Sequence, residues 1–183
     1  MFLKCYNFPI RKFFRESSMK KILVIGGNGS GKSTFSQKLG EKTGLPVVHL
    51  DKIWWRGNWE YISREEFDEK LGAELQKDEW IIDGNFERTL ERRLQFCDTV
   101  FYFDFSTIQC LFGVTERILN NYGKTRSDMG ENCPERFDFE FYKAILRFNK
   151  KNRPKTKALL EKYKPNVIVF KNRKQAEEFL KNV

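Results

Sequence analysis

The segment spanning residues 26–33, Gly-Gly-Asn-Gly-Ser-Gly-Lys-Ser, restricts the possible folds of this chain more than any other. It fits the pattern G-x-x-x-x-G-K-[ST]. In this pattern consecutive backbone N–H groups curl around a polyphosphate, and glycines permit both positive φ angles and close approach. Residues 19–25 are typical of a short buried strand, and residues 34–39 of a helix. This order indicates a phosphate-binding P-loop, and a plain glycine turn is the alternative.

The predicted P-loop implies a nucleotide and a metal ion as cofactors. Lys32 is expected to reach the β- and γ-phosphates of ATP, and the Ser33 hydroxyl is expected to bind Mg²⁺. The start of the following helix adds the positive end of its dipole to this anion site. The predicted cofactor-binding residues are Gly26, Gly27, Asn28, Gly29, Ser30, Gly31, Lys32, Ser33 and Thr34.

The length and composition favour a single globular domain. With 183 residues, of which 40% are hydrophobic, the chain is large enough to bury a core. No apolar run approaches the roughly 20 residues that span a bilayer, so we predict no membrane partner. The four cysteines form no C-x-x-C pair, which favours reduced thiols in a cytoplasmic protein.

The net charge of +9 is compatible with two kinds of partner. It fits nucleic acid, and it equally fits an anionic substrate together with a generally basic surface. Residues 1–18 hold four basic residues and one acidic residue, and the remaining charge is expected to be spread without a dense basic block. That distribution favours nonspecific electrostatics.

The first 18 residues differ from the rest of the chain. They contain no continuous apolar stretch of the kind found in signal peptides. Met19 stands just before the first predicted strand, where such domains usually begin. We therefore hypothesise that residues 1–18 are an extension that is not native, and that residues 19–183 form the domain. An ordered basic arm packed on the domain is the alternative.

The rest of the chain alternates between predicted strands and helices. The strands are expected at residues 21–26, 46–50, 80–83, 99–104 and 166–171, each a short apolar run typical of burial on both faces. Helices are expected at residues 33–43, 64–78, 86–94, from 108 onward, and at 175–182. This alternation predicts a parallel sheet with helices on both faces. Residues 120–138 have no clear hydrophobic period, which predicts a mobile excursion from the alternating strands and helices.

Ligands in open parallel sheets gather at the carboxyl ends of the strands. Asp51 follows the second predicted strand directly. We expect it to hold or deprotonate the hydroxyl group that receives a phosphoryl group, as a catalytic and substrate-binding residue. A helix N-cap is the alternative. His49, the only histidine, is assigned no role, because a lone histidine is more often structural.

Asp83 ends the third predicted strand. An acidic residue there commonly holds the metal ion or one of its waters in P-loop proteins, and a simple Asp-Gly turn is the alternative. Arg88 and Arg92 follow on the next helix. Because they are four residues apart they share a helix face, and they are predicted either to clamp an anionic acceptor or to be ordinary solvated arginines.

The excursion carries the remaining catalytic candidates. Arg117, Arg126 and Arg136 are predicted to stabilise the charge that spreads over the transferring phosphoryl oxygens. A flexible, arginine-bearing segment suits a lid that closes and excludes water. The alternative is a basic surface loop.

Residues 52–60 contain three tryptophans around Arg56. They predict an aromatic pocket with one charged anchor, suited to an acceptor that carries a ring or an anion. Tryptophan is also a common core residue, and that alternative stays open.

Taken together, these motifs resemble the adenylate-kinase-like branch of the P-loop kinases. More closely, residues 19–183 are similar to the bacterial family called DNA topology modulation proteins. The segments that carry the resemblance are Gly-Gly-Asn-Gly-Ser-Gly-Lys-Ser, His-Leu-Asp-Lys-Ile-Trp-Trp, Trp-Ile-Ile-Asp-Gly-Asn-Phe and Cys-Pro-Glu-Arg at residues 133–136. The resemblance implies a three-layer α/β fold with a five-stranded parallel sheet in the order 2-3-1-4-5. It also implies an acceptor-binding segment at residues 51–79 and a lid at about residues 117–138.

Individual residues also match kinase patterns. Asp51 resembles the strand-2 aspartate of shikimate-type kinases, which contacts the acceptor hydroxyl. Arg117 and Arg126 resemble two lid arginines of adenylate kinases. Nucleoside monophosphate kinases have Asp-Gly-Phe-Pro-Arg after the third strand, whereas this chain has Asp-Gly-Asn-Phe-Glu-Arg at residues 83–88. The missing proline and shifted arginine argue against monophosphate recognition.

Two functions follow as predictions. The first is an ATP- and Mg²⁺-dependent phosphotransferase whose partners are a nucleoside triphosphate and a small acceptor. The second is a nucleotide-dependent regulator with DNA as partner and without kinase activity. No helix-turn-helix pattern, zinc site or basic-aromatic array supports the second. The sequence predicts neither the acceptor, nor the oligomeric state, nor a preference for ATP over GTP.

Overall fold

The computed structural model describes Lys4–Cys5 and residues 19–183 of the chain. The hypothesis about residues 1–18 concerns a segment that, apart from Lys4–Cys5, lies outside the described residues. The division into domains that depends on it stays a prediction.

Parallel strands form a single sheet. They are β1 (Lys4–Cys5), β2 (Lys21–Gly26), β3 (Val47–His49), β4 (Trp80–Asp83), β5 (Thr99–Phe103) and β6 (Asn166–Phe170). Their order across the sheet is β3-β4-β2-β5-β6-β1. Without the two-residue β1, which adds to the edge at β6, this is the predicted five-stranded sheet in the order 2-3-1-4-5. The predicted fold class is therefore confirmed.

The helices cover both faces of the sheet. They are α1 (Lys32–Thr43), α2 (Leu50–Trp54), α3 (Arg64–Gln76), α4 (Glu87–Leu94), α5 (Thr107–Asn121), α6 (Phe139–Tyr163) and α7 (Arg173–Lys181). Local sequence fixes several of their starts. The side chain of Ser63 accepts a hydrogen bond from the Glu66 amide before α3, and Asp138 does the same for the Phe141 amide before α6.

The core has two halves, because β2 is buried on both sides. Ile22 and Val24 pack against α1, α5 and α7, whereas Leu23 and Ile25 pack against α3 and α4. In the first half Phe35 is central. Its ring centroid lies 5.0–5.5 Å from three other phenylalanine rings, with edge-to-face geometry. This packing fixes the strand that leads into the glycine-rich loop.

Residues 122–138 connect α5 to α6 and make up most of the segment predicted as a lid, which was expected at about residues 117–138 and so also includes the end of α5. Isolated bridges pair Tyr122 with Glu135 and Thr125 with Pro134. The segment also contacts the loop after α2, since the Asn58 amide donates to the Asn132 carbonyl oxygen at 3.1 Å.

Two properties of the helices concern possible partners. No helix among the described residues has both the length and the apolar character needed to cross a membrane. Helix α6 contains eight lysine and arginine residues against two glutamates. The expectation that the positive charge is spread without a dense basic block was therefore wrong, because this one helix carries a net charge of +6.

Candidate active site

The glycine-rich loop joins the end of β2 to the start of α1 at the carboxyl edge of the sheet. Gly29 and Gly31 have φ angles of +80° and +91°, which glycine adopts readily. A Cβ at Gly29 would lie 2.4 Å from the carbonyl oxygen of Cys110, so the close approach to α5 also requires glycine. A Cβ at Gly31 would meet open space. The loop lines a cavity of about 320 Å³.

Lys32 is the first residue of α1 and lies inside this loop. Its side chain is buried, and Nζ donates a hydrogen bond of 2.9 Å to the carbonyl oxygen of Gly27. Burial lowers the pKa of Lys32 below its usual value, while the negative charges of Asp83 and Asp51 act in the opposite direction. The ammonium is therefore placed within the cavity that the loop encloses.

The other predicted cofactor-binding residues divide by position. Gly26 and Gly27 are buried below the cavity, and Ser30 donates to the Gly27 carbonyl oxygen at 2.7 Å. The residues that line the cavity are Asn28, Gly29, Gly31, Lys32, Ser33 and Thr34. The structure thus brings six of the nine to one surface, and the rest shape the loop beneath it.

Asp83 ends β4 on the floor of the same cavity and is 1% exposed. Its neighbour across the strands is His49, whose Nδ1 lies 3.1 Å from Oδ2 of Asp83. Burial acts to lower the pKa of His49, but the hydrogen bond and charge of Asp83 outweigh it and raise the pKa. Sequence reasoning missed this contact, since it depends on the register between β3 and β4.

Asp51 lies in the first turn of α2, directly after β3, and lines the cavity opposite Lys32. Burial raises the pKa of its carboxyl to about 6, and the charge of Asp83 adds to the rise. The charges of Lys32 and Arg126 act against it. A carboxyl with this pKa is poised to take up a proton near neutral pH.

Asn85 links the turn after β4 to the glycine-rich loop. Its Oδ1 accepts a 3.0 Å hydrogen bond from the Gly26 amide, and its Nδ2 donates to Oδ1 of Asn28 at 3.3 Å. No role was predicted for Asn85. Its position keeps the two loops that border the cavity at a fixed separation.

The same turn is held from below by Arg93 of α4, which is completely buried. Its guanidinium donates to the carbonyl oxygens of Gly84, Asn85 and Phe86 at 2.9, 2.9 and 3.1 Å. Burial lowers the pKa of Arg93 to about 10. A signal for this role was present, because Arg93 shares its helix face with Leu90 and Leu94, whose apolar side chains face the core.

The lid arginines meet at one buried carboxylate. Oε1 of Glu135 accepts from Nε of Arg126 at 2.6 Å and lies 3.1 Å from Nε of Arg117. Arg126 also donates to Asp128 at 2.6 Å. Burial lowers the pKa of Arg117, and the charge of Arg126 adds to this effect. Both arginines line the P-loop cavity, and their predicted catalytic role stays a prediction, whereas the contact with Glu135 was not anticipated.

A second cavity of about 230 Å³ adjoins the first and lies beneath the lid. Trp55 and Trp59 form part of its wall, with ring centroids 5.3 Å apart at an angle of 78°. The guanidinium of Arg136 is 5.1 Å from the centre of the Trp59 ring. Arg136 lines this second cavity but does not line the P-loop cavity. Asn28, Asp51, Arg117 and Arg126 line both cavities.

A third cavity of about 280 Å³ continues from the P-loop on the other side. It lies between α1, α5 and α7 and is bordered by Thr34, Lys38, Arg117 and Arg173. Arg173 is held by Glu116 at 2.6 Å. The space is contiguous with the P-loop cavity through Gly31, Thr34 and Arg117, which line both.

The structure does not bring three predicted substrate-binding arginines to the site. Arg88 pairs with both carboxylate oxygens of Asp68 at 2.7 Å, and Arg92 donates to the Asp68 carbonyl oxygen at 3.1 Å. Arg56 pairs with Glu66 at 2.7 Å. All three are exposed and none lines the cavities described above, because each is directed toward α3.

The residues around the loop fit a nucleoside triphosphate with Mg²⁺. Open space at Gly31, a buried ammonium and the free amides at the start of α1 suit a polyphosphate. Ser33 and Asp83 both line the cavity and offer the oxygen ligands that Mg²⁺ prefers. Among the described residues no cluster of three or more histidine, cysteine, aspartate or glutamate side chains forms a separate metal site.

Fold and site together place this chain among proteins with the P-loop kinase fold. Two similar solved structures are shikimate kinases. One, from Acinetobacter baumannii in complex with shikimate, has a TM-score of 0.59 at 16% identity and covers 93% of each chain. The other, from Bacteroides thetaiotaomicron, has a TM-score of 0.56 at 17% identity and covers 90% of this chain and 96% of its own.

The comparisons of sequence identify no family for this chain. No family model matches the chain, and no curated protein matches it. The resemblance to DNA topology modulation proteins therefore has no support beyond the motifs that suggested it. At 16–17% identity the structural likeness shows the fold, and the chemistry has to be argued from the site.

Proposed function

We propose that the protein is an ATP- and Mg²⁺-dependent phosphotransferase that phosphorylates a hydroxyl group of a small acceptor. One observation carries the proposal. The P-loop cavity and the cavity beneath the lid meet at Asp51, Arg117 and Arg126, which line both. A phosphoryl donor in one cavity and an acceptor in the other would therefore meet at a carboxylate and two guanidinium groups.

The donor side would be held by the loop. Backbone amides of the loop and Lys32 would bind the phosphates, and the third cavity would take the nucleoside beside Arg117 and Arg173. Ser33 and Asp83 would hold Mg²⁺, which when bound neutralises charge on the phosphate oxygens. The hydrogen bond from His49 would keep the Asp83 carboxylate in one orientation.

The acceptor side would supply the nucleophile. The hydroxyl oxygen of the acceptor forms a bond to the γ-phosphorus as the bond from that phosphorus to the β,γ-bridging oxygen breaks. ADP leaves with the bonding electron pair, and the hydroxyl proton passes to Asp51. Arg117 and Arg126 would stabilise the charge on the transferring group, a role for which a well-placed arginine contributes roughly 10³–10⁵ in rate.

The test is ADP formation from ATP and Mg²⁺ with a panel of small hydroxylated acceptors, followed by mass spectrometry of the phosphorylated product. Lys32→Ala and Asp83→Asn should abolish product formation without loss of fold. Lys42→Ala, on the same helix, and Asp78→Asn, on the exposed loop before β4, are matched controls that should retain it. Full turnover in both site variants would refute the mechanism.

A DNA-directed regulator is the second candidate, and the charge of α6 is the observation that favours it. Arg147, Lys150, Lys151 and Lys157 make no ion pair with any described residue, whereas the other four cations of α6 are paired. Such a surface fits a polyanion, and binding to a DNA duplex would then weaken steeply with salt. Salt-sensitive duplex binding without phosphorylation of any acceptor would favour this candidate over the phosphotransferase.

A further inference from the structure

The cavity beneath the lid has two kinds of wall. Trp55, Trp59 and Phe141 provide aromatic surface, and Asn28, Asp51 and Asp138 provide planar polar groups. Two indole rings at 78° form an inside corner rather than a flat slot. A ligand that fills this corner must present apolar faces in two directions while it hydrogen-bonds around its edges.

The charges of this cavity are largely balanced within the protein. Arg117 and Arg126 are held by Glu135, and Arg126 also by Asp128, so both cations already have carboxylate partners. Arg136 is exposed and lies on the Trp59 ring. Of the three arginines that line this cavity, Arg136 alone has no carboxylate partner among the described residues. A doubly charged phosphate monoester would therefore find one available guanidinium, and an unpaired buried charge is costly.

The hydrogen-bonding groups without a full set of partners favour a ligand rich in hydroxyl groups. Asp51 makes no side-chain hydrogen bond with the described residues, and only Oδ1 of Asp138 is used, as the cap of α6. The amide nitrogen of Asn28 is likewise without a partner among the described residues, where only its Oδ1 is bonded. A hydroxyl group both donates and accepts, so it satisfies carboxylate and amide groups alike.

From these three observations we infer that the acceptor is an uncharged, polyhydroxylated compound of the sugar or polyol class. Its C–H faces would pack into the corner of Trp55 and Trp59, and one of its hydroxyl groups would lie at Asp51. This inference rests on the proposed phosphotransferase function and narrows it to an acceptor without an anionic group.

The test uses pairs of compounds that share a carbon skeleton and differ in the presence of one anionic group. Each neutral aldose or alditol is compared with the aldonic acid of the same carbon skeleton, and each nucleoside with its 5′-monophosphate. ADP formation is measured for every compound, and binding is followed by the quenching of tryptophan fluorescence. We expect a neutral sugar or polyol to give kcat/KM at least about tenfold above its acid partner.

The outcomes separate this inference from the proposed function. If an acid or a nucleoside monophosphate is the better member of its pair, the phosphotransferase stands and the neutral acceptor is refuted. If nucleosides exceed every sugar and polyol, the class is likewise refuted. If no compound supports ADP formation above the rate with water, both the function and the inference fail.

Two tryptophan variants locate the binding surface. Trp59→Phe should raise KM for the neutral acceptor about tenfold and remove most of the fluorescence response, with KM for ATP changed less than twofold. Trp54→Phe is the matched control, because Trp54 belongs to the same segment but does not line the cavity. Equal effects of the two substitutions on KM would show that the acceptor does not pack on Trp59 and would overturn the placement.

Discussion

The two cavities that meet at Asp51 differ in how their walls are assembled. Six of the fifteen residues that line the P-loop cavity come from the short segment 28–34, four more come from the turn that begins at Asp83, and the others include Asp51 and the lid arginines. The cavity beneath the lid, proposed above as the acceptor cavity, takes its wall from separate stretches of chain, including α2 with the loop after it, the end of α5, the lid and the start of α6. The phosphate-binding part of the first cavity is set by local backbone geometry, whereas the second cavity depends throughout on long-range packing.

The difference shows in what holds each wall in place. The P-loop is braced by a strand within the sheet and by the side chains of Asn85 and Lys32. The acceptor cavity depends on contacts between the lid and the loop after α2. There, Sγ of Cys133 donates to the Arg56 carbonyl oxygen at 3.1 Å and accepts from the Trp59 amide at 3.4 Å. The walls of the two cavities are therefore held by different contacts.

Lys32→Ala should impair phosphoryl transfer from ATP without impairing acceptor binding, and it should have the largest effect of the substitutions considered. Loss of the ammonium from the loop should lower the rate of ADP formation by about 10³-fold, because transferring phosphoryl groups are stabilised mainly by positioned charge. Steady-state kinetics with ATP and the identified acceptor measure the rate. Acceptor binding, followed by tryptophan fluorescence, should change less than twofold. If acceptor binding is lost as well, the two cavities are not separable in the way proposed.

Asp51→Asn changes a residue that lines both cavities. As the proposed general base, its loss should lower kcat by about 10²-fold. In the wild type, kcat should rise as pH increases through about 6, the pKa of Asp51, and this limb should be absent from the variant. A pH–rate profile measures both. An unchanged acid limb in the variant would assign the ionisation to another group.

The same substitution should stabilise the fold at neutral pH. The pKa of Asp51 is higher in the folded chain than its ordinary value of 3.8, so ionisation opposes folding and wild-type stability decreases as pH rises from 4 to 6. Asn carries no such charge. The variant should gain about 2 kcal/mol at pH 7–8 and lose this advantage near pH 4, as thermal unfolding at both pH values would show. A variant less stable at pH 8 would contradict the assigned shift.

Cys133→Ala should weaken only the acceptor side. Without Sγ the lid loses one donor and one acceptor to the loop after α2, and KM for the acceptor should rise about fivefold while Kd for ATP stays within twofold. Kinetics and calorimetric titration with an ATP analogue measure the two quantities. Cys97→Ala, a half-buried cysteine away from the lid, is the control. Equal changes in both constants would mean that the lid also holds the nucleotide side.

Arg88→Ala should have the smallest effect. Its exposed pair with Asp68 contributes about 1 kcal/mol or less to stability, and it borders no cavity described above. Acceptor KM and kcat should remain within twofold of the wild type in steady-state assays. A tenfold rise in KM would restore the predicted anion clamp on α4 and place the acceptor elsewhere.

The sequence predicted the fold and the loop well, because both follow from local patterns. Short apolar runs identify strands buried on both faces, and glycine spacing identifies the loop. Arg88 and Arg92 were misplaced for a physical reason. Two arginines on one helix face are compatible with either a ligand or a carboxylate on a neighbouring helix, and Asp68 lies 20 residues away in the chain.

The remaining site residues depend on contacts that no local pattern encodes. His49 meets Asp83 only because of the register between β3 and β4, and Glu135 meets the lid arginines only through the return of the lid. Arg93 is different, since its place among the leucines of α4 was visible in the sequence. A cation on an apolar helix face should have been expected to bind backbone carbonyl oxygens in the core.

The carboxylate of Glu135 also bears on how the site responds to its surroundings. It is 4% exposed and accepts from one lid arginine while pairing with the other. An anion that binds to Arg117 or Arg126 therefore has to displace the carboxylate of Glu135, because neither guanidinium is free of a carboxylate partner. Ion pairs at this depth are screened little by salt. Nucleotide affinity should accordingly depend on ionic strength far less than the net charge of +9 would imply.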